Sequence, residues 1–115
     1  MISVILDSSN KALCVAIAKD NKIISEVNYD AWQRQSELMV MELDKLMKEN
    51  SLTRDDINEV ICSIGPGSYT GVRVSLTIAK VMGATLNIKV YGISSLEAQK
   101  IKDKPTISLM NARRG

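Results

Sequence analysis

The sequence predicts an α/β domain built on one mixed sheet, from three observations. Residues 2–30 fall into short β-branched runs broken by turns rich in Asn and Asp. From residue 36 the apolar period lengthens to that of a helix. Thereafter strand-like and helix-like segments alternate to the end of the chain. At 115 residues the chain is long enough for one real core and too short for two ordinary ones, and no internal repeat or low-complexity linker divides it.

The opening ISVILDSSNKALCVAIAKDNKIISEVNYD reads as three strands joined by two short reversals. Ser8, Ser9, Asn10 and Lys11 make the first, and Asp20, Asn21 and Lys22 the second. Asn and Asp tolerate left-handed backbone and bond their own main chain, so the result is an antiparallel meander. SELMVMELDKLMKEN places apolar residues at 39, 43, 46 and at 40, 43, 47, the spacing of a helix face over 36–50. Ser36 is its expected N-cap, with Glu37 in the first turn. Thr53 caps a short turn, TRDDIN, ahead of EVICSI, a strand apolar enough for the middle of a sheet. A glycine-rich loop then leads into a helix over about 71–84, the strand KVYGI, a helix SSLEAQKIK capped by Ser94 or Ser95, and a last strand PTISLM after Pro105. A meander followed by βαβ crossovers is the pattern of ribonuclease-H-like and actin-like lobes.

Composition narrows the chemistry. With 45% hydrophobic and 24% charged residues and a net charge of +2, the chain is neither disordered nor basic enough for nucleic acid to dominate its surface. Aromatics make up 3%, with no Phe, one Trp (Trp32) and three Tyr (Tyr29, Tyr69, Tyr91), so the core is expected to be aliphatic and stacking platforms for single strands are not expected. Cys14 and Cys62 each sit in an apolar, β-branched run and are expected as buried, reduced thiols, in keeping with a cytosolic protein. No basic leader precedes an apolar stretch and no run reaches about 18 apolar residues, so no export signal or membrane span is expected. Histidine is absent, which removes His-metal sites, Ser-His-Asp and Cys-His pairs together, so no metal or cofactor is expected.

IGPGSYTGVRVSLTIAK carries Gly65, Pro66, Gly67, Ser68, Thr70, Gly71 and Arg73. The spacing G-x-G-x-x-x-G satisfies neither the dinucleotide fingerprint nor the P-loop, which needs Lys-Ser/Thr after its last glycine. Two readings stay open: a tight strand-to-helix elbow whose glycines take positive φ, and an anion site at a helix N-terminus with Ser68 or Thr70 as cap. Arg73 serves either.

GPGSYTGVRVSLTIAKVMGA closely resembles the hallmark segment of the TsaB (YeaZ) family, in which Gly-Pro-Gly-Ser-aromatic-Thr-Gly-hydrophobic-Arg leads into a helix with Ala-Lys. ILDSS near the start, Gln-Ser-Glu in QRQSELMVMELDKLM and the closing NARRG fall in the family's order, so the resemblance runs through essentially the whole chain. It implies an actin-like fold without a working nucleotide or metal site. It also implies a noncatalytic partner of the related TsaD transferase, and of its associated ATPase, in making N6-threonylcarbamoyladenosine in tRNA. Such a subunit meets tRNA only through the complex and pairs with itself when the partner is absent. This chain departs from the family at Gln35, usually His, and at Asn111, usually Asp in Asp-Ala-Arg-Arg. Family members continue into a second lobe where this chain stops at Gly115, so residues 1–115 are expected to form the N-terminal lobe alone.

Leu38, Met39, Val40 and Met41 are consecutive and point all round a helix axis, more than a sheet-packed helix needs. In the second helix Val74, Ile78 and Val81 form an apolar stripe. Gly71, Ser75, Ala79 and Gly83 form a line of small residues on which another helix can pack, leaving a narrow polar strip of Arg73, Thr77 and Lys80. The resemblance implies that TsaB-like proteins pair through these two helices as a four-helix bundle. Leu38, Met39, Met41, Val72, Leu76, Ala79 and Gly83 are the expected contributors.

The other reading is an enzyme. Asp7 ends the first strand, the position from which actin-like kinases and ribonuclease-H-like nucleases aim a carboxylate at a metal. A phosphotransferase or nuclease lobe using it needs further acids, for which Glu42 is the candidate, while the end of the fourth strand offers only Ser63, Ile64 and Gly65. Against this, Asp7 also suits a turn residue bonding the main chain of Ser9 and Asn10. Glu42–Lys45 and Asp44–Lys48 are solvated helix pairs, and Lys100, Lys102, Lys104, Arg113 and Arg114 make a basic end suited to a weak tRNA contact or simply to water.

Overall fold

The structure, a computed structural model, describes residues 1–8, 12–30, 34–63 and 69–93, with only the backbone at 12 and 69–72. Its elements are β1 (Ile2–Asp7), β2 (Ala12–Lys19), β3 (Lys22–Asp30), α1 (Gln35–Glu49), a 3-10 turn (Arg54–Asp56), β4 (Ile57–Ser63), α2 (Tyr69–Leu86) and β5 (Lys89–Ile93). The strands form one mixed sheet in the order β3-β2-β1-β4-β5. The first three are antiparallel, and β4 and β5 run parallel to β1. This is the meander-plus-crossover arrangement expected from the sequence. The helix and strand expected after residue 93, Trp32 and the basic C-terminal residues lie outside the described residues.

The β2–β3 reversal is tight because Asp20 and Asn21 both adopt left-handed backbone, with φ of 53° and 71°. This is the geometry whose twist matches paired strands. The Met1 ammonium lies 2.7 Å from Asp20 Oδ1 and holds that carboxyl below its usual range.

Strand alternation sorts the core to two sides. Ile2, Val4, Leu6, Leu13, Val15, Ile17, Val60 and Cys62 join the apolar residues of both helices in one cluster. Ile5, Ala16, Ala18, Ile61 and Ile93 form a second cluster on the opposite face. A register shift between Ile2 and Ser3 leaves Asn58 as the extra residue in β4, and its Oδ1 accepts the Ile2 N–H at 2.7 Å. The bulge lets Ile57 and Val60 share one face of the same strand.

α1 buries Leu38, Met39, Leu43, Leu46 and Met47, a single helical face, against that first cluster. It begins one residue earlier than expected, and its N-cap is Arg34 without a side-chain cap, so Ser36 lies inside the helix. A long-range bond holds the start instead: Gln35 Nε2 donates to Ser8 O at 3.3 Å. The helix ends in a Schellman motif. Ser51 has φ 57°, its N–H reaches Lys48 O, and the Leu52 N–H reaches Met47 O at 2.8 Å. Thr53 caps the 3-10 turn as expected, its N–H and hydroxyl both meeting Asp56 Oδ2, at 2.8 and 3.1 Å.

Cys62 is buried between β4 and α2, and burial pushes its thiol up from the ordinary 9.0 to about 11. The neutral form is therefore favoured on folding. The resulting stability is complete below pH 9 and is lost as pH rises towards 11, where the unfolded thiol ionises first. Cys62 in the folded chain is expected to resist a disulfide reagent at pH 8 and to react once denaturant unfolds it. Rapid modification under native conditions would contradict this burial.

Candidate functional site

α1 and α2 lie on the same face of the sheet and contact one another. Between them is a cleft of about 410 Å³. Val40, Leu43 and Met47 line one wall, Ile78, Val81 and Met82 the other, and Ile57 and Leu86 contribute as well. Polar groups are confined to Asp44, Arg54, Thr77 and Thr85, and Asp44 is already paired with Lys48 at 3.0 Å. Val40 is 55% exposed, Met41 53% and Val81 59%, so large apolar side chains stand in water along both helices. An apolar cleft flanked by exposed aliphatic groups suits protein docking better than acid–base or metal chemistry.

The structure redistributes the residues expected at this surface. Leu38 and Met39 turn inward and are buried by the chain's own sheet, which leaves Val40 and Met41 outside. The line of small residues on α2 does not await a foreign helix: it seats α2 on its own sheet. Ala79 is 0% exposed and packs in the core, and Ser75 is buried with its Oγ donating to Ser63 O at 3.2 Å. A Cβ at Gly83 would stand 2.5 Å from Val90 Cγ2 of β5. Small side chains at this spacing let the helix axis approach the strands closely. Leu76 is half-buried against the core, Arg73, Thr77 and Lys80 are exposed, and the side chain of Val72 lies outside the described residues. Val40 and Val81, the most exposed of the cleft's large apolar residues, stand out in the sequence only as members of an apolar run and an apolar stripe.

The glycine loop receives no such test. Gly65, Pro66, Gly67 and Ser68 lie outside the described residues, while Thr70 and Gly71 belong to the first turn of α2. Asp7 ends β1 and is buried. Alternation with Ser3 and Ile5 puts it on the face of the sheet opposite the helices. Glu42 is buried on α1, on the helical side; burial, with the Glu42 charge as a smaller contribution, raises the Tyr29 phenol. The two carboxylates are therefore separated by the sheet. Among the described residues no three His, Cys, Asp or Glu side chains are grouped to hold a metal ion, and no helix is long and apolar enough to cross a membrane.

Comparison with known proteins gives this geometry a context. The family model for TsaD, tRNA N6-adenosine threonylcarbamoyltransferase, matches residues 26–115. The tRNA threonylcarbamoyladenosine biosynthesis protein TsaB of Bacillus subtilis is 30% identical over 92 residues, 80% of this chain and 40% of its own length. Its namesake from Buchnera aphidicola is 29% identical over 116 residues, 96% of this chain and 55% of its own. The chain thus spans about half the length of these curated relatives. Among solved structures, YeaZ from Pseudomonas aeruginosa superposes with a TM-score of 0.80 at 19% identity, covering 90% of this chain and 49% of that one. Thermus thermophilus RuvC in complex with a Holliday junction substrate superposes with a TM-score of 0.54 at 11% identity, covering 87% of this chain and 68% of that one, a likeness of fold alone. The mixed sheet is thus shared with a ribonuclease-H-like protein as well as with YeaZ. Because the family model takes in most of the sequence, this chain belongs to the TsaD family of tRNA threonylcarbamoyladenosine proteins, within which its named relatives are TsaB (YeaZ) proteins.

Proposed function

We propose that this chain is a noncatalytic partner lobe in the threonylcarbamoyladenosine modification of tRNA, pairing through α1 and α2 with a TsaD-like transferase. In this reading it meets the associated ATPase and tRNA only within the assembly, in the cytosol, and pairs with a second copy when the transferase is absent. The carrying observation is the apolar cleft between α1 and α2, with Val40 and Val81 exposed on its two walls. A patch of this kind on a small lobe is stabilised by covering it, at about 25 cal/mol for each Å² of apolar surface removed from water. Separation of Asp7 from Glu42 by the sheet supports a partner role over a carboxylate-based nuclease or phosphotransferase.

Methionine-methyl NMR tests the assignment. On titration with the TsaD-like transferase, the signals of Met47 and Met82, which line the cleft, are expected to shift or broaden, and that of the fully buried Met39 to stay nearly fixed. Calorimetry with magnesium-ATP checks the enzyme reading: micromolar binding to the isolated chain, with unmoved methyl signals in the first experiment, would replace the partner role.

A further inference from the structure

Ser8 follows the last residue of β1 and is fully buried. It is bonded from both helices. Its main-chain oxygen accepts Gln35 Nε2, from the first residue of α1, at 3.3 Å. Its hydroxyl oxygen accepts the Ser75 N–H, in the second turn of α2, at 3.2 Å. Ser75 in turn donates its own hydroxyl to Ser63 O at the end of β4. The two helices are thus fastened to one residue near their N-terminal ends. The cleft, by contrast, is lined by α1 over 40–47 and by α2 over 77–86, further along both helices.

The geometry points to Ser8 as a positioning residue for the docking face, one that sets the angle between α1 and α2 and so the width of the cleft. The inference rests on the proposal that this cleft receives the partner. Its physical basis is leverage. From Ser75 to Met82 the helix rises about 10 Å, so a tilt of about 5° at the fastened end displaces the cleft wall by about 1 Å. A gap of about 0.5–1 Å already forfeits a quarter to a half of a van der Waals contact, so a misplaced wall loses complementarity even with every lining residue intact. Buried bonds spanning 27 and 67 residues of sequence are also of the kind that fix a single arrangement of packed elements.

The test uses the whole chain and the TsaD-like transferase, titrated at a temperature where every variant is folded. Ser8→Ala removes the hydroxyl, and Gln35→Met removes the amide donor at nearly constant volume. Each is expected to weaken the complex about five- to tenfold, in line with the loss of one buried hydrogen bond acting through the helix angle. Gln35→His, which keeps a ring N–H able to reach the same carbonyl, is expected to restore most of the affinity. A merely structural fastening predicts lowered melting temperatures with unchanged affinity among folded molecules, and that result would overturn the inference while leaving the docking face intact. If Val81→Arg in the cleft wall also leaves affinity unchanged, the docking proposal fails and this inference with it. Should Ser8→Ala fold poorly, the Gln35 pair decides the matter alone.

Discussion

Ala79→Arg is expected to destabilise the chain itself, not merely to separate it from a partner. Ala79 is 0% exposed, in the cluster that joins α2 to β1 and β4, and its neighbours on the same helical line are equally committed: Ser75 is bonded to Ser63 and Ser8, and Gly83 lies against Val90. A guanidinium there either stays buried without a partner, at a cost of several kcal/mol, or drives α2 off the sheet. Steric overpacking adds about 1–3 kcal/mol. A domain of 115 residues has roughly 6–17 kcal/mol of stability in all, so a loss of about 4 kcal/mol removes roughly a quarter to two-thirds of it. Circular dichroism melting should show a midpoint lowered by about 15 °C or more. A cooperative melt within a few degrees of wild type would mean that α2 is not seated on the sheet through its small residues.

How much of this was legible in the sequence depends on which interactions are local. The meander, both helices, β4 and β5 follow from periodicity and from turn residues such as Asp20 and Asn21, because the signal lies within a few residues of the element it specifies. The sidedness of the helices is not local. Four consecutive apolar residues at 38–41 guarantee a surplus, but only the packing of α1 over the sheet decides that Leu38 and Met39 go in and Val40 and Met41 stay out. In the same way a four-residue spacing of small side chains marks a line of close approach without naming what approaches. Here it is β4 and β5, where a foreign helix was expected. The start of α1 falls one residue before the Ser36 cap that the sequence suggests, because its anchor, Ser8, is 27 residues away and has no local motif. No sequence signal shows that the sheet comes between Asp7 and Glu42.

Two residues beyond Ala79, the same substitution should have the opposite profile. Val81 is 59% exposed at the wall of the cleft, so an arginine there keeps its charge in water and leaves the free chain folded, with stability within about 0.5 kcal/mol of wild type. In a complex closed over the cleft, however, the same group meets an apolar partner surface. It must then be desolvated without compensation or hold the two surfaces apart, and either outcome at the centre of an interface typically costs more than about 2 kcal/mol. Val40 stands on the opposite wall, and Val40→Arg is expected to act in the same way. Isothermal titration of the TsaD-like transferase with wild type and with Val81→Arg, both first shown to melt alike, is the most direct examination of the docking face. Loss of affinity by about thirtyfold or more is the predicted result. Equal affinity of the two proteins would contradict the assignment of the α1–α2 cleft as the surface through which this lobe works.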